Sequence, residues 1–216
     1  AYGLVKDNDW IEMQIYPPQE LPERYARMAK IVEQRSHVRI DKVKNTKELV
    51  AKYGMEYMDV IDTAYQKLYN FQPLTDRQKK QYCESFFPLL NYDFITIVVN
   101  ENNEIVAVGV GMPDISHALR KCKGKLFPFG WYHLLKALNA DHYEAFDLLL
   151  IAVRPDYQDR GLNAVIFADQ HPYFVKYGIQ RLETTAIMET NFKNLGHWEA
   201  FPHKYHKRRR AYKKQI

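Results

Sequence analysis

The sequence predicts an α+β fold with α/β/α layering: a mixed, partly parallel central sheet between helices. Three observations carry that expectation. The β-branched runs "FITIVVN" and "EIVAVGVGM" flank the turn "ENN" and read as a hairpin. The apolar run "FDLLLIAV" (Phe146 to Val153) reads as a strand covered on both faces. After it, strand, helix, strand, helix and strand follow one another, which implies parallel neighbours joined by right-handed crossovers.

Residues 1–36 read as an incoming segment, a linker and a helix, and residues 37–216 as the main domain. In "YPPQELP" the prolines deny helix and ladder hydrogen bonds, so Tyr16 to Pro22 is extended. Tyr25, Met28, Ala29 and Val32 then recur at helical spacing over Pro22 to Ser36. "VRIDKV" (Val38 to Val43) alternates as a short strand. Asn45 with Glu48, and Thr75 with Gln78, each have the spacing of a helix N-cap and its reciprocal partner. The first helical pattern runs to about Tyr69 with a break near Gly54, and the second ends near Phe87.

The hairpin follows, then an insertion with helical ends and a Gly/Pro-rich centre from Pro113 to Ala140. Its aromatic stretch "GKLFPFGWYHLL" reads either as core cover or as the lining of an acceptor or acyl-chain pocket. After the apolar strand, Leu162 to Tyr177 is helical and Gly178 ends it. "RLETTAI" is a strand, Asn191 to Phe201 a short helix, and the basic end supplies the last strand or strands.

Composition excludes several classes. Hydrophobic residues make up 46% of the 216, enough for a sizeable core. No run approaches a membrane-spanning length, and neither a membrane partner nor a signal segment is expected. The start at Ala1 rather than methionine reads as processing or truncation, with Ala1 left over from cloning. Two cysteines, Cys83 and Cys122, make no disulfide framework, so a cytoplasmic setting is expected. Cys122 lies among lysines and reads as a surface thiol, ordinary or reactive. Residues 203–216 hold seven Lys/Arg and no acid. Without them 24 Lys/Arg stand against 26 Asp/Glu, a net of −2, so the excess of +5 belongs to the tail. His203 and His206 lack a third ligand and stand among cations, so no metal is expected.

The stretch "VRPDYQDRGLNA" (Val153 to Ala164) joins the apolar strand to the next helix. Unpaired N–H groups at a helix start attract phosphate, Gly161 allows close approach and Arg160 adds a fixed charge. On residue chemistry alone, an anion cradle and an ordinary strand-to-helix turn are equally good readings.

The stretch resembles the acetyl-CoA-binding motif of the GNAT (GCN5-related N-acetyltransferase) superfamily, Gln/Arg-x-x-Gly-x-Gly/Ala after a strand. Gln158, Arg160 and Gly161 match, whereas Asn163 stands where Gly or Ala is expected and Ala164 comes one place late. The hairpin at Phe94 to Met112 and "RLETTAIMETN", reaching Asn191, extend the resemblance over about residues 38–216. The chain also resembles the C-terminal part of a larger bacterial protein with a related upstream domain.

The resemblance implies an acyl-CoA N-acyltransferase-like sheet, splayed between the parallel strands Phe146–Val153 and Arg181–Ile187. It implies pantetheine on the backbone of Ile151, Ala152 and Val153, and diphosphate on the backbone N–H groups of Asp159, Arg160, Gly161, Leu162, Asn163 and Ala164, with Gln158 beside them. Asn191 would meet the pantetheine. The implied reaction is acyl transfer from acetyl-CoA or another acyl-CoA, in a ternary complex, to a small-molecule or peptide amine.

Catalysis is less legible. The family's acidic Tyr, seven residues after the helix Asn, is Trp198 here, which reads as a core residue. His197 and Tyr205 are the nearby candidates for the acid. Glu183 is the candidate base or an exposed strand glutamate, with Glu144 and Glu189 as further carboxylates. Two other functions remain open: an acyl-CoA-binding domain without turnover, and a nucleic-acid module using "HKYHKRRRAYKK".

Overall fold

The computed structural model describes residues 3–214, and its centre is an eight-stranded sheet. In chain order the elements are β1 (Val5–Ile15), α1 (Glu23–Ser36), β2 (Val38–Asp41), α2 (Thr46–Tyr53), α3 (Glu56–Tyr65), α4 (Asp76–Ser85), β3 (Ile95–Asn100) and β4 (Ile105–Pro113). Then come α5 (Ser116–Cys122), α6 (Gly130–Leu138), β5 (Ala145–Val153), α7 (Leu162–Lys176), β6 (Arg181–Thr184), β7 (Ile187–Met188), α8 (Phe192–Trp198) and β8 (His203–Lys213).

Strands β2, β3, β4 and β5 pair in that order, all antiparallel, and β5 pairs β6 in parallel. Beyond β6 the order departs from expectation. β1 lies along β6 and β7 on one edge and along β8 on the other. The residues read as an incoming segment thus include a full strand of the sheet. Ile11, Met13 and Ile15 bury one face of β1, while its acids are met by β8 cations. "RLETTAI" is two short strands. Thr184 Oγ1 accepts the Met13 N–H at 2.9 Å near the break, replacing a ladder bond with a side chain.

Helices cover both faces, as the layering requires. Tyr57, Met58, Leu49 and Phe87 from the α2–α4 side pack on Ile95, Ile97 and Val99. On the other face, Ala29 and Val32 of α1 and Leu162, Val165 and Ile166 of α7 pack on Val98 and Val106. A third cluster holds Phe146, Phe167, Phe174, Leu182 and Trp198.

The caps form as expected: Asn45 Oδ1 accepts the Glu48 N–H at 3.0 Å, and Thr75 and Gln78 make a reciprocal box. Cys122 is buried rather than at the surface, because its Sγ donates to Gly130 O at 3.1 Å inside the α5–α6 turn. Among the described residues, no helix is long and apolar enough to cross a membrane.

Candidate functional site

The site begins where β5 leaves β6. Their pairing covers only Ala145–Leu148 against Arg181–Thr184. On the other edge, Val110 pairs Leu150 and Gly111 pairs Leu148, so Leu149 is an extra, bulged residue. The bulge therefore falls at the point of parting. Past it the Arg154 N–H donates to Val106 O at 2.8 Å. Alternation then turns Ala152 towards β4 and leaves Ile151 and Val153 facing the open side. Two side chains already meet their carbonyls there: Tyr65 Oη donates to Ile151 O at 3.0 Å, and Gln158 Nε2 donates to Val153 O at 3.0 Å.

The loop that follows is tightly organised. Asp159 has φ 62° and Gly161 φ 86°, both left-handed. A Cβ on Gly161 would also lie 3.2 Å from Val32 Cγ2 of α1. Gly161 caps α7, whose first turn carries no acid to offset the helix dipole. The Ala164 N–H turns back, donating to Gly161 O at 2.9 Å. Arg154 is committed to Asp156 and Glu104. The Arg160 guanidinium lies over the Tyr157 ring at 4.6 Å, at the mouth of this turn. Asn163, the departure from the family pattern, bonds His197 of α8 through its side-chain amide. Burial holds the His197 imidazole below its usual pKa. Asn191 caps α8, its Oδ1 accepting the Asn194 N–H at 3.3 Å.

A cluster of carboxylates lies on the sheet face opposite the α7–α8 cluster. Glu183 is not an exposed strand glutamate: its side chain is only 16% accessible. Oε1 accepts from Gln14 Nε2 at 2.8 Å and lies 3.0 Å from Arg181 Nε. Oε2 is buried without a hydrogen-bond partner, 3.8 Å from His206 Nε2. Asp147 is the register partner of Glu183. Burial first, then the charges of Asp114 and Glu183, push its carboxyl up to about 6. Asp147 escaped the sequence reading because one carboxylate inside "FDLLLIAV" counts for little in an apolar run. That isolation was itself the available signal.

The other candidates lie elsewhere. Tyr205 pairs Met13 and faces the α8 side, so β1 separates it from Glu183 and the two point to opposite faces. Trp198 is buried, edge-on to Phe167 at 5.9 Å between centroids. Glu144 is exposed beside Arg181, and Glu189 pairs with Lys6. His203 is tied to Phe201 O. The basic strand β8 is largely compensated: Lys213 pairs Asp7, Arg208 and Arg210 pair Asp9, and Lys207 and Arg209 pair Glu12. A surface cavity of about 640 Å³ near Tyr173 and Tyr177 lies at the far end of α7, away from the loop.

No protein-family model matches the chain. It is 29% identical over 163 residues to Protein YghO of Escherichia coli K12, covering 73% of this chain and 41% of that protein. It is 23% identical over 149 residues to the bacterial ceramide synthase of Caulobacter vibrioides, covering 66% of this chain and 38% of the relative. The chain thus spans about two fifths of the curated relatives it matches.

Among solved structures, a GCN5-related N-acetyltransferase from Sphaerobacter thermophilus aligns with TM-score 0.56 at 14% identity, over 98% of this chain and 52% of that one. The GCN5-related glucosamine N-acetyltransferase region of a fungal multi-domain β-N-acetylglucosaminidase aligns with TM-score 0.53 at 10% identity, over 97% of this chain and 21% of that one. Parted parallel strands, a bulge at the parting and a glycine-led helix beyond it are thus found in a chain with the fold of the GCN5-related N-acetyltransferases.

Proposed function

We propose that this chain is the acyl-CoA-binding, acyl-transferring unit of an N-acyltransferase. The observation that carries the reading is the parting of β5 from β6 at Leu148, where a strand edge that no other strand pairs leads straight into the Gly161-capped helix. The edge at Ile151 and Val153 suits the amides of a pantetheine arm, added like a strand. The N–H groups from Asp159 to Asn163, with Arg160 and the α7 dipole, suit the diphosphate. Asn191 at the head of α8 is the expected contact to the arm.

The acceptor amine must lose a proton before it attacks the thioester carbonyl. Glu183 and Asp147 are the groups for that proton. Their shared face and the raised affinity of Asp147 for a proton support the assignment. A backbone N–H beside the Leu149 bulge suits the oxyanion of the tetrahedral intermediate. Collapse of that intermediate breaks the carbon–sulfur bond and releases CoA thiolate. Similarity to a protein named bacterial ceramide synthase supports an N-acyl amide as the product class.

Isothermal titration with acetyl-CoA, a long-chain acyl-CoA and CoA tests the binding half, and no heat at millimolar ligand would sink it. A second reading keeps the binding and drops the turnover. It is favoured by Trp198 lying in the core and Tyr205 facing away from Glu183. Release of CoA with any member of a broad amine panel would exclude that second reading.

A further inference from the structure

The α5–α6 hairpin, inserted between β4 and β5, exposes a run of large apolar side chains. Leu126 is 52% exposed, Phe127 79%, Phe129 71%, Trp131 45% and Tyr132 52%. This is not slack chain. The Lys125 N–H donates to Cys122 O at 2.9 Å, the Trp131 N–H to Leu126 O at 2.9 Å, and Trp131 Nε1–H to Pro128 O at 2.9 Å. An ordered backbone therefore holds these rings in solvent, at a cost in apolar exposure that an unpartnered surface does not recover.

Charge identifies the partner. From Ile115 to Ala140 the chain has five Lys/Arg and no Asp/Glu. Among the described residues, no carboxylate pairs with Arg120, Lys121, Lys123, Lys125 or Lys136. The contrast with β8 is direct, because there the cations meet Asp7, Asp9 and Glu12. The uncompensated positive charge of the molecule thus includes this hairpin, beside its exposed rings. A self-complementary contact with a second copy would set cations against cations.

We propose that the α5–α6 hairpin docks on an anionic lipid bilayer surface, with Leu126, Phe127, Phe129 and Trp131 in the headgroup boundary and Arg120, Lys121, Lys123 and Lys125 against lipid phosphates. Exposed aromatic and leucine side chains directly following a run of cations are the chemistry of an interfacial element. No described helix is long and apolar enough to span a bilayer, but spanning is a separate matter from surface docking. The hairpin roots at Asp114, whose N–H donates to Ala145 O at 3.0 Å, two residues before Asp147 on β5. Docking therefore brings lipid near the carboxylate side of the parted strands. It does not depend on the acyl-transfer reading.

The test is flotation of the purified chain, without acyl-CoA, with vesicles of equal phosphatidylcholine and phosphatidylglycerol, and with phosphatidylcholine alone. The chain is expected to float with the anionic vesicles, and Trp131 emission to shift to shorter wavelength. Lys121→Glu/Lys123→Glu/Lys125→Glu should lower partitioning on the order of a hundredfold, with added salt acting in the same direction. Phe127→Ser/Phe129→Ser should lower it about tenfold or more. All these side chains are exposed, so melting temperature should hold, and Trp131→Phe should remove the emission shift. No flotation, equal flotation with neutral vesicles, or partitioning unchanged in both multiple variants would overturn the proposal. So would a native dimer that Phe127→Ser/Phe129→Ser converts to monomer, since the face would then belong to a second copy.

Discussion

Asp147 on β5 and Glu183 on β6 are register partners in the parallel pair, one position before its last rung. Burial first, then the charges of Asp114 and Glu183, disfavour the ionised form, and Asp147 keeps its proton up to about 6. A raised carboxyl pKa means that the folded chain holds a proton the unfolded chain has already released. Stability therefore falls as pH rises from the ordinary carboxylate range to about 6, and is level above it.

Asp147→Asn should raise the melting temperature at neutral pH and change it little at pH about 3, below both pKa values. The gain is about 1–2 kcal/mol once solvent access of the side chain is allowed for. Paired thermal melts at the two pH values check this. An acyl-transfer rate that climbs through pH about 6 in the native chain should lose that limb in the variant.

Gly161→Ala puts a Cβ at φ 86° and 3.2 Å from Val32. The left-handed strain should cost about 1–3 kcal/mol and weaken CoA binding, read by calorimetry. Arg160→Glu leaves the backbone alone but reverses the charge at the mouth of the turn. CoA affinity should drop about tenfold or more, with the difference shrinking in high salt.

Tyr65 occupies the same strand edge that a pantetheine arm would use. Tyr65→Phe removes the bond to Ile151 O and should cost about 1 kcal/mol of stability in denaturant titration. CoA affinity should stay the same or rise, because the carbonyl is vacated. A tenfold loss of affinity would mean that the hydroxyl itself holds the ligand.

Asp9 is shielded at the centre of β1, and the Arg210 guanidinium holds its carboxyl down to about 2. A lowered carboxyl pKa stabilises the fold above the ordinary carboxylate range and loses that effect as pH falls through about 2. Arg210→Met should therefore destabilise the chain at neutral pH, with the deficit narrowing as pH falls from about 4 to about 2. Denaturant midpoints across that range check the sign.

The elements legible in the sequence were those specified locally. Asn45 with Glu48 and Thr75 with Gln78 announce their helices within four residues, and the loop from Val153 to Ala164 carries its own glycine and arginine. What escaped depends on distant partners. "VKDNDWIEMQI" reads as too polar for a strand until Arg210, Arg208, Lys207 and Lys213 are placed opposite its acids, some two hundred residues away. The basic excess does belong to the tail, but the acids that meet its cations lie at the other end of the described chain. Asp147 gained meaning only when the sheet brought Glu183 beside it.

The interposed β1 also dictates an order of assembly. β8 has no sheet neighbour among the described residues other than β1, and β7 likewise pairs only with β1. Val5 pairs Lys213, so this half of the sheet joins the two extremes of the described chain. Such a contact must wait for a loop of some two hundred residues to close, the most entropically demanding kind of pairing. Among the strands of this sheet β1 precedes all its partners in sequence, and its β8 edge stays bare until the far end of the described chain arrives.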